Sequence, residues 1–392
     1  MTTKSDYTNG GHRRRGGSAL AVALIGLLAF TGIATGLANP RAGFAAENRS
    51  EAGNRSVVPG MNGIIAVRPD GKVFATVSDG SVRQWNTATG LRVSRPFGGQ
   101  VAPIHSINYS PDGEVLAVAG DREVSLWDAA TGQRSGRPLA GPVGAVRSVT
   151  FSPTGQLVAA AGIDGTIRLW DSATGALVRA LTGHVGAVGS VVFSPDGRHL
   201  ATAGTDNTVR LWDTRTGQAV GDALIADPGP VYAMSFSPDA QLLATSDGGS
   251  VVRLWDVATG ELAGAPLTGS AAPVYALTFS LDGTLLATSS GGDNTVRLWD
   301  VLTRQPAVAP LVGHTGPVRA MRFSPNGKLL ATGSDDGTVR LWNPETGSAV
   351  GEPLAGHEGP VWALRITPDS KRLITAGKDD EARLWRLPRK LA

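Results

Sequence analysis

Apolar and polar residues alternate in short bursts along most of this chain, and each burst stops at a turn signal. Residues 313–347 show the pattern in full. Pro317-Val318-Arg319-Ala320-Met321-Arg322-Phe323 alternates as a half-buried strand does. Ser324-Pro325-Asn326-Gly327 then supplies a turn, with proline fixing φ and Asn-Gly tolerating the left-handed region. Leu329-Leu330-Ala331-Thr332-Gly333 predicts a second strand and Asp335-Asp336-Gly337 a tight hairpin. Thr338-Val339-Arg340-Leu341-Trp342 follows as the third strand, and Glu345-Thr346-Gly347 turns into an outermost strand expected over 348–354. Four such antiparallel strands make a small twisted sheet whose two faces both need covering.

The unit repeats. Trp85, Trp127, Trp170, Trp212, Trp255, Trp299, Trp342 and Trp385 recur at intervals of 42 to 44 residues, seven of them after a run like Thr208-Val209-Arg210-Leu211-Trp212-Asp213. A period of roughly 40–45 residues ending in Trp-Asp resembles the WD-repeat β-propeller family, and the resemblance covers residues 56–386. It implies an all-β fold: a single closed β-propeller of four-stranded antiparallel blades, preceded by one N-terminal apolar helix. Eight blades are expected, with seven as the alternative. After Trp385 the chain runs Arg386-Leu387-Pro388 without a turn into an outer strand, so the last blade must borrow one. With eight blades the donor is Ser56-Val57-Val58; with seven it is 91–97, and 56–90 stays outside the ring. Leaving that well-formed repeat unpaired would expose strand edges, which favours eight.

The chain divides into a basic tail (1–17), an apolar segment (18–38), a linker (39–55) and the repeats (56–392). Residues 18–38 carry no charge; as a helix they span roughly 31 Å, enough for a bilayer core of about 30 Å. Arg13-Arg14-Arg15 directly before them should stay cytoplasmic, which makes a single-pass signal anchor with the propeller on the extracytoplasmic side. The alternative is a cleaved signal peptide and a secreted propeller, with small-residue sites at Gly36-Leu37-Ala38 and Gly43-Phe44-Ala45. Gly32 and Gly36 form a small-xxx-small pair able to pack two such helices, and the oligomeric state stays open.

Charge changes the picture in one way. A sequence pI near 9.4 suggests nucleic acid, but residues 1–46 hold five basic side chains against Asp6 alone, a net of +4. The remainder carries 31 basic and 32 acidic residues, so the repeats lack the footprint of a phosphate-backbone binder. There are no cysteines, hence no disulfide and no Cys-ligated zinc. The Arg-rich, Ala/Gly/Val-heavy usage is of a bacterial type.

In WD-repeat proteins a His, a Ser or Thr, an Asp and the Trp form a hydrogen-bonded set inside the blade. The resemblance carries this set onto His184-Thr202-Asp206-Trp212, His314-Thr332-Asp336-Trp342 and His357-Thr375-Asp379-Trp385. Such groups brace the blade and consume each other's donors, which speaks against a hydrolase. The blades ending at Trp85, Trp127 and Trp170 keep Asp79, Asp121 and Asp164 but lack the His, and align Ala75, Ala117 and Ala160 at the Thr position. The blade ending at Trp255 has neither His nor Asp in place, and the one ending at Trp299 keeps Asp293 alone. These blades are expected to rely more on packing.

Aligned on the Pro-Asp-Gly turn, one column varies: Gly63, His105, Arg147, Gly189, Tyr232, Tyr275, Arg319 and Trp362. Aromatic residues and arginine are what interface hot spots favour, whereas a merely solvated column would drift to Lys, Glu, Ser and Thr. The column supplies the expected partner-binding residues: Tyr232, Tyr275, Arg319 and Trp362 as a continuous arc, with Arg147 and His105 beyond. No P-loop, HExxH, GxSxG or dinucleotide-binding glycine pattern is present, and the acidic turns lack the bidentate Glu of a calcium loop. The expected function is therefore a non-enzymatic scaffold, without cofactor or metal, tethered to the membrane through residues 18–38 and docking a protein or peptide. The alternative is a ligand-sensing or enzymatic propeller with a site at the central channel. Against it, the channel-facing positions hold no clustered Glu, His or Lys.

Overall fold

The computed structural model describes residues 55–59, 63–99, 103–121, 123–141, 144–225, 230–246, 248–270 and 273–388. The expectations for 1–54, namely basic tail, apolar helix and most of the linker, lie outside the described residues. Among those described, no helix is long and apolar enough to cross a membrane.

Among the described residues eight antiparallel sheets follow one another along the chain, seven built from consecutive strands and the last taking in the chain's first strand. In each the second strand is buried almost end to end, as in His199–Gly204, whereas in six of the eight the third alternates, as in Thr208–Asp213. The second strand is central and touches two neighbours. Leu200 packs against Ile167 and Leu169 of the sheet before, while Ala201 and Ala203 pack against Met234 and Phe236 of the sheet after. A strand covered on both faces needs apolar residues at every position, and small ones where a neighbour comes close.

Eight separate apolar cores lie between successive sheets. The last joins the eighth sheet to the first: Ala363, Ile374 and Ala376 pack with Phe74 and Trp85. Sheet-to-sheet packing thus runs through the whole series and back to its start, which is the arrangement of an eight-bladed β-propeller. The borrowed strand is Arg55–Pro59. It pairs antiparallel with Glu381–Arg386, Ser56 opposite Leu384 and Val58 opposite Ala382, and Val58 is buried in the core between blades eight and one. The eighth blade is thereby four-stranded and its edge is covered.

The fourth strand is shorter than the alternation suggests. In blade seven the expected strand over 348–354 reduces to a bridge between Trp342 and Ala349 and a two-residue strand, Leu354–Ala355. In blades one, two, five and six it is only a pair of isolated bridges, such as Val82 to Phe97 and Trp85 to Arg92. These outer segments pass through glycines and prolines that break the ladder; five-residue fourth strands are kept by blade three, Leu177–Leu181, and by blade eight in its borrowed Arg55–Pro59.

Candidate functional site

In blade four, Trp212 Nε1 donates to Thr202 Oγ1 at 2.9 Å, Thr202 Oγ1 lies 2.8 Å from His184 Nε2, and His184 Nδ1 lies 3.0 Å from Asp206. Blade seven repeats this with Trp342, Thr332, His314 and Asp336, and blade eight with Trp385, Thr375, His357 and Asp379. Burial pushes the His184 imidazole below its ordinary value, outweighing Asp206, so the ring is neutral at neutral pH. A neutral ring facing a carboxylate places its proton on Nδ1. Nε2 then accepts from the threonine hydroxyl, which in turn accepts from the indole. Burial pushes Asp206 up, but the Val185 amide, His184 and Thr208 outweigh it and hold the carboxyl low. Every donor and acceptor is spent inside the blade, leaving nothing to attack a substrate.

Four of the five blades without this histidine are not left to packing. Arg83 pairs with Asp79, Arg168 with Asp164 and Arg297 with Asp293, each four residues on along one hairpin. Blade two has Ser125 at the arginine's position, and its Asp121 takes the rim residue His105 instead, at 2.8 Å. The indole partners also differ from the Ala75 and Ala117 alignment. Trp85 donates to Thr76 and Trp127 to Ser125, while Trp170 reaches the Ala140 carbonyl. The Asp79-Gly80 hairpin of blade one is short, so its threonine stands nine residues before the tryptophan rather than ten.

The variable column lies at the start of each first strand, beside the hairpins that join second to third strands. In blades three, four, seven and eight it is the extra residue of a β-bulge: Arg147, Gly189, Arg319 and Trp362 each have no partner in the register. A bulge re-aims a side chain and loosens its tie to the ladder, which is why this position varies while its neighbours do not. The structure brings three of the named residues together across three blades. The Tyr232 and Tyr275 rings meet edge-on, centroids 5.1 Å apart, and the Arg319 guanidinium sits 4.0 Å over the Tyr275 ring. Asp335 grips Arg319 from behind through Nε and Nη2, at 2.8 to 3.1 Å. Burial alone would lower the Arg319 pKa; Asp335 and then Tyr275 outweigh it, and the net shift is upward. Trp362 stands in the next blade with its Cβ beside Gly63, where φ is +70° and an added Cβ would come within 3.1 Å. Arg147 is exposed and lies elsewhere on the ring. Asp335, which fixes Arg319, is a site residue that the sequence marks only as part of a hairpin turn.

Eight successive segments, 58–86, 92–128, 134–171, 175–213, 223–256, 264–300, 306–343 and 348–386, match the model of the WD domain, G-beta repeat. The chain belongs to the WD-repeat family. Each matched repeat begins in or just before the outer strand of one blade and ends one residue past the tryptophan of the next, so the first repeat's opening residue, Val58, completes the WD propeller's last blade. Among solved structures, the WD-repeat chain is similar to the computationally designed Ika8 protein. The TM-score is 0.73 and the identity 25%, over 84% of this chain and 98% of that one. No curated protein matches it. WD repeats indicate a protein-interaction propeller scaffold, and such propellers are generally not enzymes.

Proposed function

We propose that this WD-repeat protein is a membrane-tethered scaffold, its propeller facing outward, that docks a protein or peptide partner on the face carrying Tyr232, Tyr275, Arg319 and Trp362. The observation that carries the reading is the pre-set aromatic arc. Tyr232, Tyr275 and Arg319 are stacked across three blades, and Asp335 holds the arginine before any partner arrives. Side chains ordered in advance lose less entropy on binding, and large amphipathic rings supply contact area at low cost. Arg319 already has its carboxylate, so the partner is expected to present apolar or aromatic groups to the arc rather than an acid. The tether rests on the uncharged stretch 18–38 and its Arg13-Arg14-Arg15 flank.

The test is photo-crosslinking from position 275 in the full chain in intact cells, with Tyr232→Ala and Trp362→Ala as competitors of the site. One discrete crosslinked protein, lost by roughly tenfold or more when both flanking aromatics are removed, is expected for hot-spot residues. Crosslinks unchanged in the double variant would remove the arc from the binding face. External protease that spares the propeller in intact cells would remove the outward orientation.

A further inference from the structure

The strands that begin at the aromatic arc end at the Pro-Asp-Gly turns, and there the propeller encloses a central cavity of about 340 Å³. Its wall is apolar for most of the circuit, with Phe151, Phe193, Phe236, Phe279 and Phe323 from five successive blades. One column points polar groups inward: Asn108, Thr150, Ser235 and Thr278, then in the two last blades Arg322 and Arg365. These arginines are 43 positions apart in sequence but equivalent in adjacent blades. The lining contains no Asp or Glu.

The two cations are treated unlike the molecule's other lining guanidinium. Arg68, also at the cavity, is held by Asp70 through two hydrogen bonds. Among the described residues neither Arg322 nor Arg365 has a carboxylate partner, and the one side-chain hydrogen bond that either makes is donated by Arg365 Nη1 to the Leu364 carbonyl. Arg365 Nε is buried with no partner at all. Burial pushes both guanidinium groups down, Arg365 to about 9 with Arg322 contributing, and an arginine side chain keeps its proton inside a protein. Two like charges side by side against phenylalanine are costly unless an anion answers them.

We propose that Arg322 and Arg365 form an anion site in the channel that takes a small organic phosphate, its head between the two guanidinium groups and its body against the phenylalanine ring. Arginine forks match phosphate oxygens in paired hydrogen bonds, and a dianionic phosphomonoester balances the two positive charges. The remaining wall suits an apolar or aromatic body, as small-ligand cavities generally combine such a lining with a few convergent polar groups. This site is independent of the docking arc: Arg322 stands three residues along the strand from Arg319, about 10 Å away at the usual strand rise.

The experiment is titration calorimetry on the full detergent-solubilised chain with phenyl phosphate, inorganic phosphate and benzoate, at ionic strength fixed with chloride. Phenyl phosphate is expected to bind best, inorganic phosphate more weakly and benzoate weakest. Arg322→Met or Arg365→Met should each weaken phenyl phosphate by about tenfold or more. Each variant should also melt above the wild type in chloride, because it removes an unanswered buried charge. This second readout reports on folding as well. The Tyr232, Tyr275 and Trp362 alanine variants should bind the phosphates unchanged. Binding that survives both arginine substitutions, or benzoate binding as tightly as phenyl phosphate, would overturn the assignment. So would the absence of phosphate binding to a wild-type chain that melts cooperatively.

Discussion

Blades four, seven and eight and blades one, three and six solve the same problem differently. In all six a carboxylate sits in the hairpin between second and third strands, six residues before the tryptophan. In the first group a histidine answers it and connects it through threonine to the indole, so hairpin, central strand and tryptophan form one chain of hydrogen bonds. In the second group an arginine four residues on answers it directly, and the indole finds a separate acceptor. The histidine solution couples three elements, the arginine solution only two. What the blade requires is therefore a donor for the aspartate and an acceptor for the indole, and the histidine is one means of joining them. Blade eight uses both means: Arg383, buried, adds a contact of 2.5 Å to Asp379 beside His357.

The largest difference between the two solutions should appear at the shared threonine. Thr332→Val removes the acceptor of Trp342 and the donor to His314 together, leaving two buried polar groups unanswered, at about 2–4 kcal/mol in all. Ser125→Ala in blade two strands only the Trp127 indole, for about 1–2 kcal/mol. Urea unfolding followed by tryptophan fluorescence compares them. Equal losses would show that the histidine set is not coupled.

Arginine substitutions run the comparison the other way. Arg168→Met in blade three takes the cation from Asp164, which is mostly buried, and should cost about 1–2 kcal/mol. Arg210→Met at the equivalent position of blade four should cost under about 0.5 kcal/mol, because His184, the Val185 amide and Thr208 already answer Asp206. A larger loss from Arg210→Met than from Arg168→Met would break the proposed division of labour.

How much of this could be read from the sequence follows from what carries it. The eight-unit count and the borrowed strand were legible because period and alternation are properties of the chain itself; Ser56-Val57-Val58 was marked as donor by the missing turn after Trp385. The Thr76 partner was not, since the short hairpin at Asp79-Gly80 shifts the register by one and a fixed offset lands on Ala75. The arginine partners were hidden because Arg83, Arg168 and Arg297 occupy a position where Arg210 and Arg340 stand too, and only the folded hairpin shows which reach a carboxylate. The varying column was visible, but its cause, a β-bulge, leaves no composition of its own. Arg322 and Arg365 were in plain view at equivalent offsets; a channel scanned for Glu, His and Lys passes over them.

The two solutions should also separate with pH. A histidine whose folded-state pKa is lowered binds fewer protons folded than unfolded, so blade four loses stability as pH falls through about 6.5. In blade six burial pushes Asp293 up, but Arg297 and the Thr295 contacts outweigh it and hold the carboxyl well below its ordinary range. A lowered carboxyl keeps its full contribution until pH falls below about 3.9, its unfolded value. Between pH 7 and 5 amide-exchange protection, corrected for intrinsic rates, should therefore drop over residues 199–213 and hold over 285–300. Parallel loss in both segments would refute the neutral-histidine account.

The smallest effect is expected where the two solutions meet the proposed docking face. Asp121 is about half exposed, with 52% of its side chain accessible, and its bond to His105 ties a blade-two hairpin to a rim residue rather than to the core. Asp121→Asn keeps the shape and removes the carboxylate charge, and a side-chain pair this open to water is worth at most about 0.5 kcal/mol. Unfolding should hardly change, while the ring of His105 gains freedom that an NMR titration of its Cε1 proton would register as altered line width. A stability loss as large as that of Arg168→Met would mean that Asp121 belongs with the braced carboxylates after all. An unchanged His105 signal would mean that the rim histidine is positioned by its strand alone, and its claim to a place in the docking surface would then rest on the column and not on the pair.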